Sequence, residues 1–178
     1  MFKTRSLLFA ALCIALGIVL PMAFHGIPQG GRIFSPMHIP VLLAGLLTGP
    51  VYGLIVGVMT PVLSSILTSM PPAPILPSMT VELAVYGLGT GLFMQILPIR
   101  RIAGRVYGAL LISMLLGRVV AGLANALIFQ FGAYSIQAFI SAYFVTSFPG
   151  IVVHIVTVPL VYFALHKAGI SSPAAHDS

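Results

Sequence analysis

Residues 105–129 read RVYGALLISMLLGRVVAGLANALIF. The run stays apolar for longer than the ~20 residues a helix needs to cross a bilayer. Arg105 marks one end, and a single charge, Arg118, stands inside. A charge within a span costs about 2.5–3.5 kcal/mol on insertion scales, so its default reading is a functional site with a partner. One other apolar stretch carries such a charge. Residues 79–97, MTVELAVYGLGTGLFMQIL, hold Glu82.

The rest of the chain is of the same kind. Its 178 residues are 59% hydrophobic and 6% charged, against about 25% charged in a soluble domain. A chain of 18.7 kDa with a mean hydropathy of +1.13 has no soluble interior large enough for so much apolar sequence. It reads as an integral membrane protein, all-α, with one domain over residues 1–170. The polar tail, 171–178, is expected to be disordered. The net charge of +6 comes from basic residues that flank apolar runs, the pattern of topology signals and not of a nucleic-acid surface.

Six spans can be drawn, about Ser6–Phe24, Ser35–Thr48, Val51–Thr68, Met79–Leu97, Arg105–Phe129 and Phe148–His166. The second is short and opens with Pro36 and Pro40, so an oblique or broken helix is expected there. Gly132–Ser147 reads as a surface loop with a short interfacial helix. Pro149 suits the first turn of the last helix. In a six-span bundle Lys3, Arg5, Arg100, Arg101, Arg105 and Lys167 fall on one side, and only Arg32 on the other. Both termini are therefore expected to be cytoplasmic. The outer segment MPPAPILP, residues 70–77, is stiffened by its prolines and suits a wall or lid. The N-terminal run is read as a retained first helix, because no small-x-small cleavage site follows it.

Helix rise places the polar residues in depth. Arg118 lies roughly 20 Å along its helix from Arg105, in the outer third of a core about 30 Å thick. Glu82 lies roughly 5 Å in from the outer end of its span, and His154 roughly 8 Å in from the start of the last. Asn125 is two turns above Arg118 on the same face, and Tyr86 one turn below Glu82. Three titratable residues of three helices share a depth that opens outward, as a small-molecule pocket between helices requires. The alternative is a buried Glu82–Arg118 pair that only orders the bundle; the two are compatible.

Other chemistries lack residues. Cys13, the one cysteine, excludes an internal disulfide and reads as a packing residue. His25 and His38, with Arg32 between them, form an outer rim without the acidic or cysteine neighbours that a metal site wants. No nucleophile motif or phosphate-cradling glycine loop is present, so neither an enzyme nor an ATP-binding chain is expected. Small residues recur at helix-packing spacing at Ala11/Ala15, Gly49/Gly53/Gly57, Gly87/Gly91 and Gly117/Ala121.

Residues 34–50, FSPMHIPVLLAGLLTGP, together with ELAVYG at 82–87, FPGIVVH at 148–154 and ALCIA at 11–15, resemble the S components of energy-coupling factor (ECF) transporters. The resemblance extends over essentially the whole chain. It implies a multi-pass subunit of a prokaryotic cell membrane that captures a vitamin or related micronutrient at the outer face. It implies docking on a transmembrane T component and two cytoplasmic ATPases, with Ala11 and Ala15 on the face that meets the T component. It implies substrate contacts from Glu82, Tyr86, Arg118, Asn125 and His154, with no cofactor. A carboxylate on Arg118 and hydrogen bonds from the other residues suit pantothenate among the B vitamins. The cobalt and nickel subgroup, with Met-His at its mature N-terminus, is not matched, since Met37-His38 is internal. A stand-alone permease is the alternative and would need its own coupling-ion site; a membrane scaffold would have no use for Arg118.

Overall fold

Helices form wherever the sequence is apolar over whole turns, and glycine and proline set their ends. A computed structural model describes residues 4–24, 26, 30–132 and 134–169, and of Arg32 the backbone only; most of these residues are helical, with no strand among them. The helices are α1 (Thr4–Ala23), α2 (Gly30–Phe34), α3 (His38–Thr48), α4 (Pro50–Thr68), α5 (Leu76–Ile96), α6 (Ile102–Ala124), α7 (Ile136–Ile140) and α8 (Phe148–Lys167). A π-helical turn, Asn125–Phe129, extends α6, and another, Ser141–Thr146, extends α7. His25, Lys3 and the tail 171–178 lie outside the described residues.

Five helices are long and apolar enough to cross a membrane: Thr4–Ala23, Pro50–Thr68, Leu76–Ile96, Ile102–Phe129 and Phe148–Lys167. The span expected over 35–48 is different. Ser35 takes a left-handed φ of 45° and Pro36 follows it, so the helix restarts only at His38. The resulting α3 has 11 residues, about 16 Å of rise, which is half a crossing. All of it but Ile39 is buried. A helix that is apolar all round belongs in a core, and α3 is packed by α1, α4, α5 and α8. Gly49, at φ 89°, is the one-residue corner between α3 and α4, and Pro50 opens α4 with its fixed φ.

The remaining boundaries follow the same chemistry. Pro77 and Pro149 sit in the first turns of α5 and α8, where a missing N–H costs nothing. The segment before α8 is helical over more of its length than the short helix expected, from Ile136 to Thr146.

Glycines set the tightest contact. A Cβ built on Gly53 would collide with the Gly87 carbonyl, and one on Gly87 with the Gly53 carbonyl. So α4 and α5 touch backbone to backbone, as small-residue faces permit. On α1 the stripe Ser6, Ala10, Cys13 and Gly17 is buried, facing α3 and α4, while Ala11 and Ala15 are exposed. At one end of the bundle Arg5 donates through Nη2 to the Gly169 carbonyl at 3.2 Å. That bond joins the start of α1 to the end of α8.

Candidate functional site

Glu82 and Tyr86 are one turn apart on α5 and so share a face. The Tyr86 hydroxyl donates to Glu82 Oε1 at 2.7 Å. On α6, Gly117 leaves space that the Tyr86 ring occupies; a Cβ there would overlap the ring. The next residue, Arg118, donates through Nε to the same hydroxyl at 2.9 Å. The direct Arg118–Glu82 approach is longer, 3.9 Å. A phenol thus bridges the two charges, accepting from one and donating to the other.

Arg118 also binds the segment before α8. Its Nη1 donates to the Tyr143 carbonyl and to Ser147 Oγ at 3.2 Å. Its guanidinium carbon lies 5.7 Å from the centre of the Phe144 ring, within cation–π range. Its hydrogen bonds to described residues run from Nε and Nη1. Asn125, at the first residue of the π-turn, donates through Nδ2 to the Tyr143 hydroxyl at 3.2 Å.

On the other side of Glu82 stand two histidines. His38 Nε2 is 3.8 Å from Glu82 Oε2. The His38 ring meets Tyr86 edge-on at 5.4 Å and stacks on His154 at 5.4 Å and 9°. His154 Nε2–H donates to the Ser35 carbonyl at 3.1 Å, which fixes its tautomer. Gly150, one turn earlier on α8, lets that helix lie against the backbone of Ile33 and Phe34. Among the described residues no three His, Cys, Asp or Glu side chains converge as a metal set would.

These groups surround a cavity of about 520 Å³. Glu82, Arg118 and His38 line its charged base; Asn125, Gln130 and Tyr134 line it further along. Met37, Met70, Pro71, Pro72, Ile75 and Met79 give it apolar walls. The proline-rich segment 70–77 is therefore part of the wall. A drug-sized ligand pocket has this mixture, mostly apolar with a few placed polar groups.

The five residues singled out in the sequence divide into two sets. Glu82, Arg118 and Asn125 line the cavity, with 7%, 4% and 5% of their surface exposed. Tyr86 and His154 are fully buried and stand behind that lining, touching Glu82, Arg118, His38 and Ser35. Sequence reasoning left His38 on an outer rim, whereas it belongs to the charged base. A buried histidine opening an otherwise apolar helix was the available signal, because buried polar groups need partners. Tyr143 and Ser147 were missed; a main-chain carbonyl as the partner of Arg118 leaves no mark in side-chain pattern. The rim residues His25 and Arg32 fall outside what is described of side chains.

The family model for the substrate-specific component of ECF transporters matches residues 5–173. The chain belongs to that family. A comparison with curated proteins finds no match. As an ECF substrate-specific component the chain is an integral membrane protein that binds a small molecule for uptake in company with other transporter subunits, and the family is a transport component and not an enzyme.

Proposed function

We propose that this ECF component captures a small, vitamin-like solute from the outer face in the cavity above Glu82 and Arg118. The single observation that carries this reading is the cavity itself. About 520 Å³ of space is bounded by apolar side chains and has its polar groups gathered at one place, where Glu82 and Arg118 stand beside His38. Arg118 receives a carboxylate or another electron-rich group through the guanidinium edge that the protein leaves over. Glu82 accepts a hydroxyl or amide proton, and Asn125 supplies a further hydrogen bond. Tyr86 and His154 keep those groups in place. Glu82 and Arg118 cancel in charge, which favours a neutral or weakly anionic ligand, and pantothenate is the B vitamin that best suits it.

In this reading α3 is the partial sixth span, and both termini lie on the cytoplasmic side with the basic residues. Loaded protein docks on a T component served by two ATPases, through the α1 face that carries Ala11 and Ala15. The exposure of both alanines, opposite the buried stripe of the same helix, supports that role.

The experiment is purification of the chain with its bound ligand and identification of that ligand by mass spectrometry. A B vitamin or a close precursor is expected, retained by the parent and lost in Arg118→Ala. Retention in Arg118→Ala would refute the site. Uptake that persists without any T component or ATPase would make the chain a permease in its own right.

A further inference from the structure

The cavity is closed on one side by residues that are barely attached to the bundle. No residue of the segment Ile136–Thr146 is buried, yet Ala142, Tyr143 and Thr146 line the cavity. Its attachment therefore rests on a few contacts. Some are polar: Arg118 to Tyr143 and Ser147, and Asn125 and Ser78 to the Tyr143 hydroxyl. Another is apolar and lies outside the cavity. Gly122 is buried on α6, and the Phe139 ring fills the space that its side chain would take; a Cβ at Gly122 would meet three atoms of that ring.

Phe139 is not a cavity residue. It touches one that is, Tyr143, and another, Phe144, that packs on Arg118. Its ring packs on Tyr143 at 5.3 Å and on Phe144 at 5.7 Å. Tyr143 supplies the carbonyl that Arg118 binds, and Phe144 covers the guanidinium. The two π-helical turns stand at the two ends of this arrangement, Asn125 in one and Tyr143 in the other. Such turns widen a helix locally and frequently mark functional sites.

We propose that Phe139 is a positioning residue for binding: seated in the notch at Gly122, it holds Tyr143 and Ser147 against Arg118 and so keeps that wall of the cavity in place. The proposal rests on the cavity being the binding site, and adds which contact outside that cavity sets access to it. Segments held by few buried contacts open at small free-energy cost, so loss of one aromatic seat shifts the opening measurably.

Thiol labelling tests it without any ligand or partner subunit. Ser78 lines the cavity from α5 and is buried; it also bonds the Tyr143 hydroxyl, so Ser78→Cys, close to isosteric, is the common background and counts as the parent for every rate. Cys13, buried on α1, serves as the internal control for the integrity of the bundle. A water-soluble maleimide should label Ser78→Cys slowly in the parent. Adding Phe139→Ala should speed that labelling about tenfold, with Cys13 still silent. Gly122→Ala should do the same with Phe139 intact, because its methyl takes the seat, and Phe139→Leu should stay near the parent rate. An unchanged rate in Phe139→Ala, a parent that labels as fast as the variant, or labelling of Cys13 alongside Ser78→Cys overturns the proposal. A ligand other than a vitamin would overturn the proposed substrate and leave these rates as they are.

Discussion

Glu82 and Arg118 are joined through the Tyr86 hydroxyl, at 2.7 Å on the glutamate side and 2.9 Å on the arginine side, while their own charged atoms stay 3.9 Å apart. The phenol spends its single proton on the carboxylate and offers a lone pair to the guanidinium. Both charges are thereby satisfied without collapsing into a two-point pair. Glu82 Oε2 faces His38 Nε2 at 3.8 Å, and the hydrogen bonds of Arg118 to described residues leave its Nη2 unused.

Tyr86→Phe removes the bridge and leaves Glu82 Oε1 and Arg118 Nε without it. A buried polar group that loses its partner costs about 1–3 kcal/mol. Thermal unfolding in detergent should show that loss, and ligand affinity should fall with it. A variant as stable and as tight-binding as the parent would mean that the direct pair suffices.

Glu82 and Arg118 should be strongly non-additive. Removing one member of a buried pair costs about 3–5 kcal/mol, because the other charge is stranded. Glu82→Gln with Arg118→Met should recover a large part of that stability while still failing to bind ligand. A double-mutant cycle in unfolding free energy, run beside a binding assay, separates the two. If the double variant binds as the parent does, the pair orders the bundle and nothing more.

The α4–α5 seam should tolerate no side chain. Gly53→Ala or Gly87→Ala pushes a methyl into a facing carbonyl, and overpacking of this kind costs about 1–3 kcal/mol. The readout is the unfolding temperature. The same change at Gly31, where a Cβ meets nothing within 4 Å and the backbone is not left-handed, provides a contrast for space alone.

Ala11→Phe and Ala15→Phe enlarge residues that are exposed in the isolated chain. Stability and ligand binding should stay at parental levels, while uptake by cells supplied with the T component and ATPases should fall to background. Lost binding in the isolated chain would place these alanines in internal packing instead.

Much of the helix layout was readable because the lipid-crossing signal is one-dimensional. Apolar length marks a helix such as α6, and proline marks the first turns of α5 and α8. Helix rise likewise gave the heights of Glu82, Arg118 and His154, because height is a count of residues. Azimuth is not such a count. That Tyr86 would stand between the charges depends on Gly117 making room for its ring, a fact about the α5–α6 contact and not about either helix. His38 looked like a rim residue because its span was drawn from Ser35. The left-handed Ser35 and Pro36 delay the helix and turn its first residue inward. The brevity of α3 was hinted at by Pro36 and Pro40, but its enclosure on all sides comes from packing that an apolar run does not specify. The hold of Arg118 on the Tyr143 carbonyl was invisible for a simpler reason: every residue has a carbonyl.

That same choice of acceptor has an evolutionary consequence. Because Arg118 grips main chain at position 143, a change of side chain there leaves that bond in place, although it gives up the bond to Asn125 and the packing on Phe139. Tyr143 faces the cavity, so substitutions at this position alter the shape of the wall while the main-chain bond to Arg118 persists. In the proposed reading the bond to Arg118 outlasts a change in the wall, and a related chain could move to a new substrate by editing position 143 and rebuilding its two side-chain contacts.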